Sequence, residues 1–413
     1  MQNRWRESCM AEQTKTEQAI KTILRFLGTY IVRHAPFTAE MYQKEGCSVP
    51  SEEDLKKLNT SYANYLNGEG SFCKKLINDV GQSYALRKGR REDTGSVGDP
   101  LYPGERDFLE FCRASDTLQI VSGYMKSSSV DFIVVPGALQ RGVEKRISVV
   151  SDYLQKNPKF RGQILLFGTR DRKLYPFMPS GEIREKMTFD ILAESLNKVQ
   201  GLSTYTAESL QKLLHSQYQD IQAQSGLLKE TEIADKLALK WETETGVKWP
   251  TEYQMVCRLA NQRLQMYPVQ TIETFKKTND STSKRATTAD EAVYIADRIQ
   301  KLTQEKQQQD MMFVPHIAIV TNYAYQVETY RGEISQYVKD AEISMLSPYK
   351  NTQDFLENWK TRDWLQGKTN AELDSLFTVE VLDAFARLIY SQKPKCYFNE
   401  AVKVWRQKNR CRE

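Results

Sequence analysis

Residues 131–137 have the sequence Asp-Phe-Ile-Val-Val-Pro-Gly, a short apolar run that ends in a proline–glycine turn. A run of this length, rich in β-branched residues, is typical of a strand buried on both faces of a parallel sheet. A second run of the same character, Gly-Gln-Ile-Leu-Leu-Phe-Gly, occupies 162–168, and the segment at about 140–154 between them has helical periodicity. Strand, helix and strand at this spacing predict a βαβ unit.

The same alternation continues further along the chain. A helix is predicted from Glu182 to about Val199. Further strands are predicted at 269–275, 316–321 and 343–346, with helices at 288–302 and 325–338. We therefore predict an α/β fold with a Rossmann-like parallel sheet of about five strands.

Helical segments surround and interrupt the predicted sheet. Residues 201–266 carry leucines at helical spacing and no β-branched apolar run, which indicates a helical insertion. The predicted organisation is a helical N-terminal unit at 1–95, an α/β domain at 96–200 and 267–349, the insertion at 201–266, and a helical C-terminal unit at 350–413.

The composition is that of a folded protein. Hydrophobic residues make up 40% of the 413 residues and charged residues 27%, which is typical of globular chains. The 58 basic and 53 acidic residues leave a net charge of +5, too weak a field to favour nucleic acid as the partner. Basic clusters at 87–91 and 403–412 are the local exceptions, and we interpret both as solvated surface.

Cysteine usage and hydropathy indicate the compartment. The seven cysteines are an odd number without a Cys-x-x-Cys pair, so we expect free thiols rather than disulfides or a metal site. The first residues lack the apolar core of a signal peptide, and no stretch approaches the length of a membrane span. We therefore expect a cytoplasmic protein without a membrane span.

Candidate binding residues follow the predicted strands. Ligands of open α/β sheets bind beyond the carboxyl ends of the strands, where glycine turns and helix N-termini present backbone N–H groups. The segments at these positions are 136–138, 168–170, 283–291 and 321–323. The sequence contains no G-x-G-x-x-G, G-x-x-x-x-G-K-[ST], H-E-x-x-H or G-x-S-x-G motif, so the usual dinucleotide, P-loop, zinc-protease and lipase interpretations are not favoured.

The order of these segments resembles the SanA/ElyC/YdcF-like family. A strand that ends at Gly137 is followed by Arg146 in the next helix, and a strand that ends at Gly168 is followed by Glu182. A helix start similar to the family's T-x-E-N-A motif lies at 288–292, and a strand ends at Thr321. The resemblance covers about 130–190 and 268–345.

This resemblance implies a Rossmann-like domain of a group whose activity is largely undefined, one class of which is associated with S-adenosylmethionine. The chain departs from the family pattern at three positions: Tyr325 replaces a histidine, Glu328 an arginine and Glu291 an asparagine. Because tyrosine is a poor general base at neutral pH, the family's chemistry is expected to be weakened or lost. Arg331, one helical turn after Glu328, is the nearest replacement cation.

Three hypotheses about function remain open. The first is binding of a small anionic or nucleotide-like ligand, S-adenosylmethionine included, by Gly137, Arg146, Gly168, Thr169, Thr288, Thr321, Asn322 and Arg331. The second is a transferase or hydrolase whose catalytic residues are Glu182, Asp290, Glu291 and Tyr325. The third is a degenerate domain that acts as a scaffold, with its helical flanks contacting a protein partner. Strand-ending glycines and capping threonines also have ordinary structural roles.

Overall fold

The structure is a computed structural model of the chain. It describes residues 103–121, 130–178, 181–200, 205–225, 230–275, 288–308, 313–362 and 365–390, together with residue 101 and parts of 14–60. The two basic clusters and all cysteines except Cys112 and Cys257 lie outside the described residues. So does most of the predicted segment 283–291, up to its last four residues.

The chain divides into two compact units. One, the helical unit, consists of residues 1–124, 322–332 and 349–413, and the other, the α/β unit, of residues 125–321 and 333–348. The N-terminal and C-terminal helical segments, predicted as separate units, are thus grouped together. The predicted insertion at 201–266 is grouped with the sheet.

Five parallel strands form the sheet, in the order β3-β2-β1-β4-β5. Their bounds are β1 Phe132–Val135, β2 Gln163–Thr169, β3 Val269–Thr274, β4 His316–Val320 and β5 Glu342–Leu346. The predicted α/β fold with a Rossmann-like parallel sheet is confirmed. The direction of strand addition reverses between β1 and β4, which is where open α/β sheets leave a crevice at their carboxyl edge.

The helices follow the predicted alternation. From residue 103 on, the helices of the described residues are α1 Glu105–Leu118, α2 Gln140–Lys156, α3 Met187–Gln200, α4 Ala207–Ser225, α5 Glu230–Thr245, α6 Glu252–Arg263, α7 Thr288–Gln307, α8 Ala324–Tyr337, α9 Thr352–Lys360 and α10 Asn370–Tyr390. The described elements of the insertion, α4, α5 and α6, are helices, and its described residues add no strand to the sheet.

The α/β unit buries two apolar clusters described here. In the first, α2 and α6 cover one face of the sheet, with Ile147 and Met255 among the side chains that pack with Ile133 and Leu166. In the second, α3, α4 and α5 pack around Trp241 and Trp249. The last helix of the insertion, α6, therefore returns to the sheet, while α4 and α5 belong to a core of their own.

The helix predicted to begin at Glu182 was placed too early, since α3 begins at Met187. Gly181 adopts a left-handed conformation with φ of 85°, and Phe177 and Ile183 form an antiparallel bridge on either side of it. This turn keeps Glu182 out of the helix. The backbone N–H of Met187 then donates to Oε1 of Gln140 at 2.9 Å, which caps the new helix.

The helical unit has its own apolar core. Phe111 of α1, Trp359 of α9 and Phe377 of α10 are fully buried in it. No helix in the described part of the chain is both long and apolar enough to cross a bilayer.

Cys112 on α1 lies in this core, and both Cys112 and Cys257 are free thiols, as predicted for them.

Burial, reinforced by the charges of Asp116 and Asp374, raises the pKa of Cys112 to about 12. Because only the thiolate reacts readily, we expect iodoacetamide at about pH 8 to leave Cys112 unmodified in the folded protein. Mass spectrometry of the peptides measures this, with urea-denatured protein as the control. Alkylation at equal rates in both samples would contradict the prediction.

Candidate functional site at the carboxyl edge of β1 and β2

The turn after β1 is held by Arg146. This side chain is buried on α2, and its Nη1 donates to the carbonyl oxygens of Pro136 at 2.6 Å and Gly137 at 2.7 Å. Two carbonyl dipoles thus stabilise the buried guanidinium. From the sequence, the Arg146 guanidinium is assigned to an anionic ligand, whereas in the structure it binds backbone carbonyl oxygens of the chain.

Carboxylates of the chain occupy the backbone donors at this turn. The N–H of Gly137 donates to Oε1 of Glu291 at 2.7 Å, and the N–H of Gln140, the first residue of α2, donates to Oε1 of Glu185 at 3.1 Å. Leu139, at the N-cap, offers no side-chain cap. Glu185 and Glu291 therefore stand where the N-terminus of a helix can bind an anion.

A third carboxylate, that of Glu252, lies between the ends of β1 and β2. Its Oε2 accepts the N–H of Thr169 at 3.1 Å, and a Cβ added to Gly137 would lie 2.8 Å from its Oε1. A Cβ added to Gly168 would lie 2.7 Å from the Cα of Tyr253. Both glycines do permit a close approach, and what approaches is the N-terminus of α6.

Arg172 joins two of these carboxylates. Its Nη1 lies 2.7 Å from Oε1 of Glu252 and its Nη2 lies 3.5 Å from Oε1 of Glu185. The three side chains are at least nine-tenths buried, and we name Glu185, Arg172 and Glu252 the carboxylate clamp. The backbone N–H of Tyr175 also donates to Oε2 of Glu185. Burial raises the pKa of Glu185, while Arg172 and these backbone donors oppose the shift.

Sequence reasoning missed the carboxylate clamp. One signal was available: Thr251 and Gln254 form a capping box, a pattern that places Glu252 at the start of a helix. No pattern indicated that this helix start meets the ends of β1 and β2.

Five of the predicted site residues lie together, and contacts of the Glu252, Glu291 and Arg146 side chains join them. They are Gly137, Arg146, Gly168, Thr169 and Glu291. The Thr169 hydroxyl donates to the carbonyl oxygen of Thr274 at 3.2 Å, so it joins β2 to β3 rather than facing a ligand.

Three further predicted residues of the α/β unit do not belong to this group, because one lies in an exposed loop and two are fully buried. Glu182 is exposed in the loop before α3, and its carbonyl oxygen accepts from the N–H of Met178 at 2.8 Å. Asp290 and Thr321 are completely buried. Thr288 begins α7, but its side chain is outside the described residues.

The remaining predicted residues, Asn322, Tyr325 and Arg331, belong to the helical unit. Tyr325 packs against the core of that unit, with its ring centroid 5.6 Å from that of Tyr323. Arg331 donates from Nε to Oε1 of the buried Glu328 at 3.2 Å. Arg331 thus balances the charge of Glu328.

Among the described residues, no group of three His, Cys, Asp or Glu side chains is arranged to hold a metal ion. Comparisons with protein-family models, curated proteins and solved structures give no match. The resemblance to the SanA/ElyC/YdcF-like family stays a prediction, and the geometry of the edge carries the argument about function.

Proposed function

We propose that the carboxyl edge of β1 and β2 binds a small organic ligand through a cationic or uncharged group, S-adenosylmethionine being the class that the resemblance names. One observation carries this proposal: the N–H groups of Gly137, Gln140 and Thr169 are each bound by a carboxylate of the chain. The sequence predicts that an anionic ligand binds these N–H groups. Because carboxylates of the chain already bind them, a cationic or uncharged group is favoured instead.

The charge balance at the edge supports the same choice. Around the turn after β1, the carboxylates of Glu185, Glu252 and Glu291 are accompanied by two guanidinium groups: that of Arg146 donates to carbonyl oxygens, and that of Arg172 pairs with Glu185 and Glu252. Two like charges about 5 Å apart repel by roughly 3 kcal/mol near a protein surface. A phosphate would therefore be repelled, whereas a sulfonium or ammonium group would be attracted.

Glu291 is the carboxylate best placed to meet a ligand. Glu185 and Glu252 are buried, whereas Glu291 is only partly buried and sits at the first turn of α7. Of the predicted catalytic set, Asp290 is enclosed and Glu182 lies in an exposed loop. The arrangement supports binding with weakened or absent catalysis better than a transferase or hydrolase reaction.

Calorimetric titration of the full chain tests this proposal. We expect S-adenosylmethionine to bind and ATP and inorganic phosphate not to bind. Glu291→Gln keeps an oxygen acceptor for the N–H of Gly137 but removes the charge, so it should weaken S-adenosylmethionine binding about tenfold, the scale of one charge-assisted hydrogen bond.

Glu194→Gln is the matched control, since this carboxylate is exposed on α3 and pairs with Arg258. The Glu194→Gln variant should bind S-adenosylmethionine as tightly as the unmodified chain does. Tighter binding of ATP than of S-adenosylmethionine would overturn the proposal. Binding of neither ligand would also overturn it and would favour the scaffold hypothesis.

A further inference from the structure

An exposed aromatic ring lies at the ends of β2 and β3. The last paired residues of these strands are Thr169 and Thr274, so Arg170 and Phe275 follow them side by side. The N–H of Arg170 donates to the carbonyl oxygen of Thr274 at 2.8 Å. The Cζ of Arg170 lies 5.9 Å from the centroid of the Phe275 ring, and Phe275 is 44% exposed.

The Phe275 ring packs against Tyr294 of α7. Tyr294 contacts it with a centroid separation of 5.2 Å and an interplanar angle of 66°, an edge-to-face arrangement that aromatic pairs prefer. A ring fixed in this way loses little conformational freedom when a ligand stacks on it. An exposed, fixed ring with a guanidinium at its face is suited to a planar heterocycle.

This surface is continuous with the edge described above. Glu291 and Tyr294 are three residues apart on α7, so their side chains are neighbours on one face of that helix. Glu291 reaches the turn after β1, and Tyr294 reaches the end of β3. A ligand bound along this face of α7 would meet both Glu291 and the Phe275 ring.

We propose that Phe275 and Arg170 form the stacking surface for the heterocyclic ring of a nucleoside. The ring binds here while the group attached to its sugar points towards Glu291. The sugar substituent thus points towards a carboxylate, that of Glu291 at the turn after β1. The surface therefore suits a nucleoside without phosphate. The orientation of the ligand rests on the proposed function, but the stacking contact does not.

The probes are adenosine, its fluorescent etheno derivative and ribose, each titrated against the full chain. We expect adenosine to bind and ribose not to bind, and the fluorescence polarisation of the etheno derivative to rise on binding. Phe275→Leu should weaken adenosine binding about tenfold, as loss of one base–aromatic stack does, whereas Phe275→Tyr should retain it. The control is Tyr267→Leu, because Tyr267 is 37% exposed at the other end of β3 and should not contribute.

The possible outcomes separate the two proposals. Loss of adenosine binding in Phe275→Leu with no effect of Glu291→Gln on S-adenosylmethionine supports the stacking surface and rejects the proposed function. Normal adenosine binding by Phe275→Leu rejects the stacking surface, whatever Glu291→Gln does. Failure of adenosine to bind the unmodified chain, or equal losses in Phe275→Leu and Tyr267→Leu, also rejects it.

Discussion

Replacement of Arg172 by methionine should lower the free energy of unfolding of the α/β unit by about 3–5 kcal/mol, the usual effect of removing one partner from a buried ion pair. Arg172 is the shared partner of Glu185 and Glu252, and both carboxylates are buried. Without the guanidinium, both carboxylates must be protonated or drawn towards water. Urea unfolding measured by tryptophan fluorescence checks the loss.

A surface ion pair provides the comparison. Arg258 and Glu194 approach as closely as Arg172 and Glu252, at 2.7 Å, but their side chains are 26% and 57% exposed. Arg258→Met should therefore cost less than about 1 kcal/mol. Adding Glu185→Gln and Glu252→Gln to Arg172→Met should recover part of the loss, because the penalty comes from unpaired charge. Equal losses in Arg172→Met and Arg258→Met would contradict this account of the carboxylate clamp.

Gly168→Ala should destabilise the protein by about 1–3 kcal/mol through overpacking. The added Cβ would lie 2.7 Å from the Cα and 3.1 Å from the backbone nitrogen of Tyr253. Backbone atoms cannot rotate away, so α6 would have to move from the ends of β1 and β2. The Thr169 bond to Glu252 should weaken with it, which hydrogen exchange at the Thr169 amide would report.

Gly104→Ala is the matched substitution for this test. An added Cβ there has no atom within 4 Å, and the φ of −68° suits any residue. Its effect should stay within about 1 kcal/mol. If Gly168→Ala is as well tolerated as Gly104→Ala, α6 does not approach the sheet as closely as described.

The strands were predictable because their signal is local. The runs that became β1, β2 and β4 are short, apolar and β-branched or aliphatic, and a parallel strand buried on both faces requires that composition. The helical insertion was predictable for the same reason, since its leucines repeat at helical spacing.

The partners of the strand ends were not predictable in this way. Glu252 lies far from Gly137 and Thr169 in sequence, on a helix that the insertion carries back to the sheet. Arg146 was predicted to lie in the helix after β1, but which atoms it contacts depends on carbonyl directions that no residue pattern records. The predicted helix from Glu182 included Glu185. Because the turn at Gly181 precedes a helix that begins only at Met187, Glu185 lies in the loop before that helix.

Hydrogen bonds join the segment after β2 to the residues just before α6. The N–H of Leu174 donates to the carbonyl oxygen of Pro250 at 2.9 Å, and the indole of Trp249 donates to the carbonyl oxygen of Leu174 at 2.9 Å. The entropy lost in closing a loop rises slowly with its length, by about 0.6 kcal/mol per doubling. Once these contacts close the loop, helices such as α4 and α5, which pack in a separate core, can be lengthened, shortened or exchanged at little cost to the sheet. Helices α4 and α5 thus lie apart from the hydrogen bonds that hold the carboxyl edge of β1 and β2.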